Sequence, residues 1–335
     1  MLEFLLGLTL LVSLTCYVLT GGADYGAGVL NLTTRGTRAS QQSALIDRAL
    51  APIWEANHVW LILIVTVLFT AFPRAFTLIS TRLHIPITLL LIAIVLRGSA
   101  FAFRTSDVDY REQRQDGLQR LLRPIFTASS VIAPLMLGII LGAMASGRLA
   151  LSTDSFMEVF VSPWLAPFPI LVGVMTLVMF VYLAAVYLVV EAESIALKQD
   201  FRLRAFAAWS SLTILTLVIL VISRTEAPEV YTAMIYNRYG WIVLAIVGML
   251  GLAAGAMIRR DQDRLSRILA AGYVLSLMWG WAVVQYPYLV EPLFTFHDAA
   301  PSTTLQVLLI TLLIGVIVVF PSLYVLYRLF KGRYL

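Results

Sequence analysis

Apolar residues in this chain do not alternate with polar ones; they run in long blocks separated by short polar connections. Nine blocks can be read, at 4–32, 57–75, 85–103, 124–146, 164–190, 206–222, 240–258, 268–289 and 304–329. A helix crossing the hydrocarbon core of a bilayer needs about 20 apolar residues, and each block is of that order. None shows the period-2 pattern of a barrel strand. Because every backbone polar group in lipid must be satisfied internally, helices are the consistent reading. The expected fold class is an all-α, polytopic integral membrane protein: a single transmembrane domain over 1–335, with about nine transmembrane helices packed as two four-helix bundles plus one additional helix. The first block invites comparison with a secretory signal, and Leu14-Thr15-Cys16 hints at a lipoprotein cleavage box. No positive n-region precedes it and Glu3 stands in its place, so it is read as the first span.

Composition sharpens this picture. Of 335 residues, 60% are hydrophobic and 13% charged, against about 25% charged in soluble domains. Secreted, disordered and nucleic-acid-binding proteins are excluded, the last also because the basic residues never cluster with aromatics on a polar domain. A single cysteine, Cys16, permits neither an internal disulfide nor a thiolate metal cage. The distribution of Lys and Arg gives orientation. Eighteen lie in the connections and tail that follow odd-numbered spans, five on the opposite side, and Arg97 lies within a span. Basic residues stay on the cytoplasmic side, so the N terminus is expected outside and the C terminus in the cytoplasm.

Charge inside a span costs several kcal/mol unless paired or hydrated, which makes it a candidate for function. Asp24 and Arg97 lie within spans 1 and 3, about 10 to 12 Å below their cytoplasmic ends at 1.5 Å per residue, and Glu55 enters span 2 from the same side. Two readings are open: Arg97 neutralises Asp24 and locks the helices together, or the acids form a proton entrance from the cytoplasm. Two acids against one base favours the second modestly, since one carboxylate is left over. Around Asp24 the chain reads Gly21-Gly22-Ala23-Asp24-Tyr25-Gly26-Ala27-Gly28. Gly22 and Gly26 form a small-xxx-small pair for close helix contact, while Gly21 and Gly28 lie on the face of Asp24. The second cluster, Pro52-Ile53-Trp54-Glu55-Ala56-Asn57-His58-Val59-Trp60, suits an interfacial helix start, with Pro in the first turn and Trp at belt height. A Trp, an acid, an Asn and a His in five residues is nonetheless rich chemistry for that place, and Trp54 could line a quinone or partner contact.

Haem ligation by this chain is not expected. The histidines His58, His84 and His297 fall at a cytoplasmic span start, an external span start and an external loop, so no pair faces across a bundle. Methionines within spans read as packing, and no metal site is expected. In the loop before the last span, Asp298 or Ser302 reads as an N-cap.

These motifs resemble subunit II of cytochrome bd-type quinol oxidases. The family's G-F-D-x-G-V-G is matched by Gly22-Ala23-Asp24-Tyr25-Gly26-Ala27-Gly28. P-x-W-D/E-G-N-x-x-W-L is matched by Pro52, Trp54, Glu55, Asn57, Trp60 and Leu61, with Ala56 for Gly. R-P-x-x-F-x-x-R aligns with Arg97, Phe101 and Arg104, with Gly98 for Pro, and the pattern before the last span resembles Tyr286-Pro287 and Asp298-Ala299-Ala300-Pro301-Ser302. The resemblance implies a non-haem subunit, in the bacterial cytoplasmic (inner) membrane, paired with a haem-bearing subunit I that carries two b-type haems and haem d. The complex oxidises quinol, reduces O2 to water and generates a proton gradient. The resemblance assigns Asp24 and Glu55 to a proton path, with Arg97 and Asn57 in support, and puts a structural quinone of some members near Trp54. Small single-span accessory subunits and membrane lipids are further partners it implies.

A second function class is a secondary transporter or proton/ion channel, which would also carry paired carboxylates. Transporters often show internal repeats and helix breaks near mid-membrane in matching halves. Here the charges are confined to spans 1–3 with no counterpart in spans 5–7. A helical anchor without chemistry is a third reading, against which Asp24 and Arg97 argue.

Overall fold

The computed structural model describes residues 1–50, 54–106, 115–150 and 155–331. In chain order the helices are α1 (Leu2–Leu30), α2 (Ala39–Leu50), α3 (Trp54–Ala71), α4 (Pro73–Arg82), α5 (His84–Ser106), α6 (Gln115–Ala145), α7 (Phe156–Phe160), α8 (Pro167–Glu191), α9 (Ile195–Glu226), α10 (Pro228–Ile235), α11 (Arg238–Arg259), α12 (Asp263–Gln285) and α13 (Ser302–Lys331). A short antiparallel hairpin, β1 (Tyr288–Val290) with β2 (Phe294–Thr295), precedes α13. Among the described residues, eight helices are long and apolar enough to cross a membrane. The block expected at 57–75 is instead a broken pair: α3 ends at Ala71, and α4 leaves it at an angle of 117°. The break follows from Pro73, which occupies the first turn of α4 and cannot donate the bond a continuous helix would need there.

The long helices form two groups joined by α8. In the first, α1 packs against α3 and α6, and α5 packs against α6; in the second, α8, α9, α11 and α12 close into a ring. The helix α13 lies beside α3 and α1 and turns much of its surface outward, exposing Val307, Ile310, Leu313 and Ile317. Apolar residues exposed in this way on helices of this length face lipid or a partner rather than water.

Close contact between α1 and α8 depends on missing side chains. A Cβ on Gly26 would lie 2.0 Å from the Phe180 carbonyl oxygen, and one on Gly22 would lie 2.8 Å from the Phe180 ring. The small-xxx-small pair therefore lets the two backbones meet, with Phe180, Tyr182 and Leu183 fully buried behind it.

Short elements tie the ends. The connection between spans 1 and 2 contains α2, whose Gln42 Nε2 donates to Asp200 Oδ2 at 2.8 Å on α9; Arg38, just before α2, holds both oxygens of Asp200 at 2.8 and 2.6 Å. At the opposite end, the Glu291 amide donates to the Met144 carbonyl (3.0 Å) and the Ala300 amide to the Ala71 carbonyl (2.8 Å), pinning the hairpin region to α6 and α3. Asp298 does not serve as the expected cap of α13. Its Oδ2 accepts from the Thr295 amide at 2.8 Å and the Thr295 hydroxyl at 2.9 Å, closing the loop on itself, and these bonds hold its carboxyl below the usual range.

Candidate functional site: a buried ion pair where four helices meet

Asp24 lies on α1 midway between Gly22 and Gly26, the two glycines that let α8 approach, and Arg97 lies on α5. Both are buried, with side chains 9% and 5% exposed. Arg97 Nη2 donates to Asp24 Oδ1 at 2.8 Å and to the Asp24 carbonyl at 3.0 Å. Its Nη1 donates to the hydroxyl of Ser130 on α6, which in turn donates to the Phe126 carbonyl at 2.6 Å. The guanidinium carbon also lies over the ring of Tyr25 (4.4 Å) and over that of Phe126 (4.5 Å). Arginine suits this place because its planar fork makes directed bonds in plane while its faces stack on aromatics.

Gly28 explains how the guanidinium fits. A Cβ there would stand 2.3 Å from the Ser130 hydroxyl and 3.1 Å from Arg97 Nη1, so only glycine leaves room for the bond between α5 and α6. The α3 side brings Asn57, 2% exposed, whose Cβ would lie 3.4 Å from a Cβ on Gly21. Next to it, His58 is close enough to act electrostatically on Asp24.

The structure brings Asp24, Arg97 and Asn57 to one buried region. The side chains of Trp54 and Glu55 lie outside the described residues; their backbone forms the first turn of α3. Sequence reasoning missed Ser130, Tyr25 and Phe126. A hydroxyl or aromatic residue in an apolar block has too many bland uses to stand out, and only the tertiary contact to Arg97 distinguishes these three.

A pair of this kind is costly to remove from water, and its bonds recover that cost only when the geometry is complete. Here the acceptors and the ring contacts of Arg97, on α5, are supplied by α1 and α6. The arrangement can lock three helices in register and can hold a charge or a proton inside the helix bundle.

The histidines test whether a haem fits this chain. His58 belongs to the ion-pair region, His84 Nδ1 lies 2.9 Å from the Thr81 carbonyl with its ring against Phe160, and His297 lies in the loop before α13, 3.7 Å from Glu3. No two of these positions present an axial pair to one macrocycle. Among the described residues, no three His, Cys, Asp or Glu side chains gather as a metal site.

The fold and site define a polytopic helical membrane protein organised around one buried acid–guanidinium pair. The chain matches the cytochrome bd terminal oxidase subunit II family over residues 2–330, and it belongs to that family. It is 24% identical to a putative cytochrome bd menaquinol oxidase subunit II of Bacillus subtilis, across 94% of this chain and 91% of that protein. It is 28% identical to the cytochrome bd-I ubiquinol oxidase subunit 2 of Escherichia coli K12, across 56% of this chain and 48% of that protein. The fold matches a chain of the bd oxidase of Geobacillus thermodenitrificans with a TM-score of 0.77, at 23% identity, covering 98% of both chains. The resemblance read from the motifs is borne out. The chain is one subunit of an oxidase complex that contains haem and a subunit I partner.

Proposed function

We propose that this chain is the non-haem subunit of a quinol oxidase and that its ion-pair region forms the proton-uptake path of the complex. The observation that carries the reading is the convergence of Asp24, Arg97, Ser130 and Asn57 from four helices at a place shielded from water. In the proposed orientation, N terminus outside and C terminus in the cytoplasm of a bacterial cell, this region opens toward the cytoplasm through the first turn of α3, where Glu55 stands. Nine crossings follow if α3 and α4 count as one broken span.

Two b-type haems and haem d, held by subunit I, would supply electron transfer from quinol and the reduction of O2. This chain's residues do the rest. Glu55 takes up a proton at the helix start. Asp24 accepts it at a position fixed by Arg97, and Ser130 fixes Arg97 in turn. Asn57, two residues after Glu55 on α3, lines the same region. A structural quinone would lie against Trp54, and small single-span subunits and membrane lipids would cover outward faces such as that of α13.

The test uses the assembled complex. Asp24→Asn and Glu55→Gln should each slow oxygen consumption about 100-fold or more, the range for loss of a positioned proton-transfer group, with haem content unchanged in the reduced-minus-oxidised spectrum. Full turnover and proton uptake in both variants would overturn the proton path; a purified chain that brings neither a partner nor haem would overturn the oxidase assignment.

A further inference from the structure

Next to the ion pair lie two buried tyrosine hydroxyls and the Asn57 amide, and the proposed path assigns no role to these hydroxyls. Tyr17 and Tyr25, both on α1 and each 1% exposed, point toward one another. The Tyr17 hydroxyl donates to the Tyr25 hydroxyl at 3.4 Å, a long bond that leaves the Tyr25 proton free for a further acceptor. Tyr25 is also the residue whose ring underlies the Arg97 guanidinium. The ring of Tyr17 and the Cβ of Asn57 both flank Gly21, at 3.3 and 3.4 Å from where a Cβ would stand. The Asn57 Nδ2 is fully buried and has no hydrogen-bond partner.

An amide donor left unpaired at this depth is rare in native structures, and its usual partner is an ordered internal water. Such a water requires two or more polar partners, and the Tyr17 ring, which flanks Gly21 together with Asn57, carries a hydroxyl that would serve as one beside the amide. Asn57 therefore does more than pack against α1.

We infer that Tyr25, Tyr17 and Asn57 form a hydrogen-bonded arm of the ion-pair site, completed by a water held on the Asn57 amide. The arm reaches from Tyr25, whose ring lies under the Arg97 guanidinium, toward the N-terminal half of α1, and its two tyrosines span about 12 Å of helix. Along it a proton passes by exchange: each hydroxyl, or the water, accepts one proton on a lone pair and gives up its own on the other side. Every group ends neutral and no electron moves. Tyr17, Tyr25 and Asn57 are thus positioning residues for a proton.

The inference rests on the proton-path reading, and the test separates the two. In the assembled oxidase, Tyr17→Phe removes one oxygen and almost no volume, and Asn57→Leu removes the donor and fills the water's place with hydrocarbon. Each should lower oxygen consumption about tenfold, the effect of a barrier about 1.4 kcal/mol higher. Each should also enlarge the rate ratio between H2O and D2O, with the haem spectrum intact. A high-resolution structure of the complex should show density within hydrogen-bond distance of Asn57 Nδ2. If Asp24→Asn slows turnover while Tyr17→Phe leaves both rate and isotope ratio unchanged, the path stands and the arm falls. A dry Asn57 amide overturns it as well. Should Asn57→Leu fail to assemble, Tyr17→Phe decides.

Discussion

The two groups of long helices solve the problem of polarity in a membrane in opposite ways. In the group containing α1, α3, α5 and α6, full charges are buried at the centre, as Asp24 and Arg97. In the ring of α8, α9, α11 and α12, the buried polar groups are neutral. Trp209 Nε1 donates to the Gly251 carbonyl at 2.8 Å, the Thr213 and Tyr273 hydroxyls meet at 3.3 Å, and charge is kept to the ends. There Arg202 bonds Asp261 at 2.6 Å and Asp263 at 2.7 Å. The second group has what packing needs. The first adds a buried charge pair, and it is on this pair that the proposed proton path rests.

The comparison can be broken most severely at Arg97. Arg97→Met leaves Asp24 buried without its partner, and loss of one member of a buried pair costs about 3–5 kcal/mol. The complex should lose thermal stability and assemble poorly, whereas a double change to Arg97→Met with Asp24→Leu should regain much of the stability and none of the turnover. A single variant as stable as the parent in a detergent melt would show that the pair carries no structural weight. Gly26→Ala tests the seam between the groups. The added Cβ meets a backbone carbonyl that has no rotamer to change, and overpacking of this kind costs about 1–3 kcal/mol. Normal yield and an unaltered melt would mean that α1 and α8 are less tightly apposed than their backbones indicate.

A smaller effect is expected at the loop before α13. Burial, reinforced by the nearby Glu229, pushes Glu291 from 4.5 up to about 7. The unfolded chain then releases this proton before the folded one does, so stability is full below pH 4.5, declines up to about pH 7 and is level above it. Melting curves across that window should follow this profile, and Glu291→Gln should flatten it; a variant with the parent's profile would assign the dependence elsewhere. Smallest of all is Arg202→Ala in the second group. Its pairs lie near the surface, where such bonds contribute about 0–1 kcal/mol, and turnover should not change. A turnover loss there would erase the contrast between the halves.

Much of this contrast was legible along the chain. Long apolar blocks announced the membrane helices, and an acid and an arginine inside them are expensive enough to be noticed without a structure. Proline at position 73 was visible too, but its 117° consequence was not, because a proline near the end of an apolar block fits a simple helix end equally well. The helix α2 escaped notice because its apolar positions are few and its anchor, Asp200, lies far along the chain on α9. Ser130, Tyr25 and Phe126 are ordinary residues for a membrane helix, and their role exists only once Arg97 has been packed among them.

Asp24 and Arg97 are separated by 73 residues of chain. Membrane helices are delivered in order as the chain is made, so the acid of α1 reaches the bilayer before the arginine of α5 has been synthesised. At about 5–20 residues per second the interval is about 4–15 s. During that time Asp24 has no guanidinium, and α1 should be retained beside water or a companion protein until α5 arrives. The ion pair is thus also a clock for biogenesis: crosslinks from α1 to the insertion machinery should persist until Arg97 emerges, and should outlast it when Arg97 is replaced.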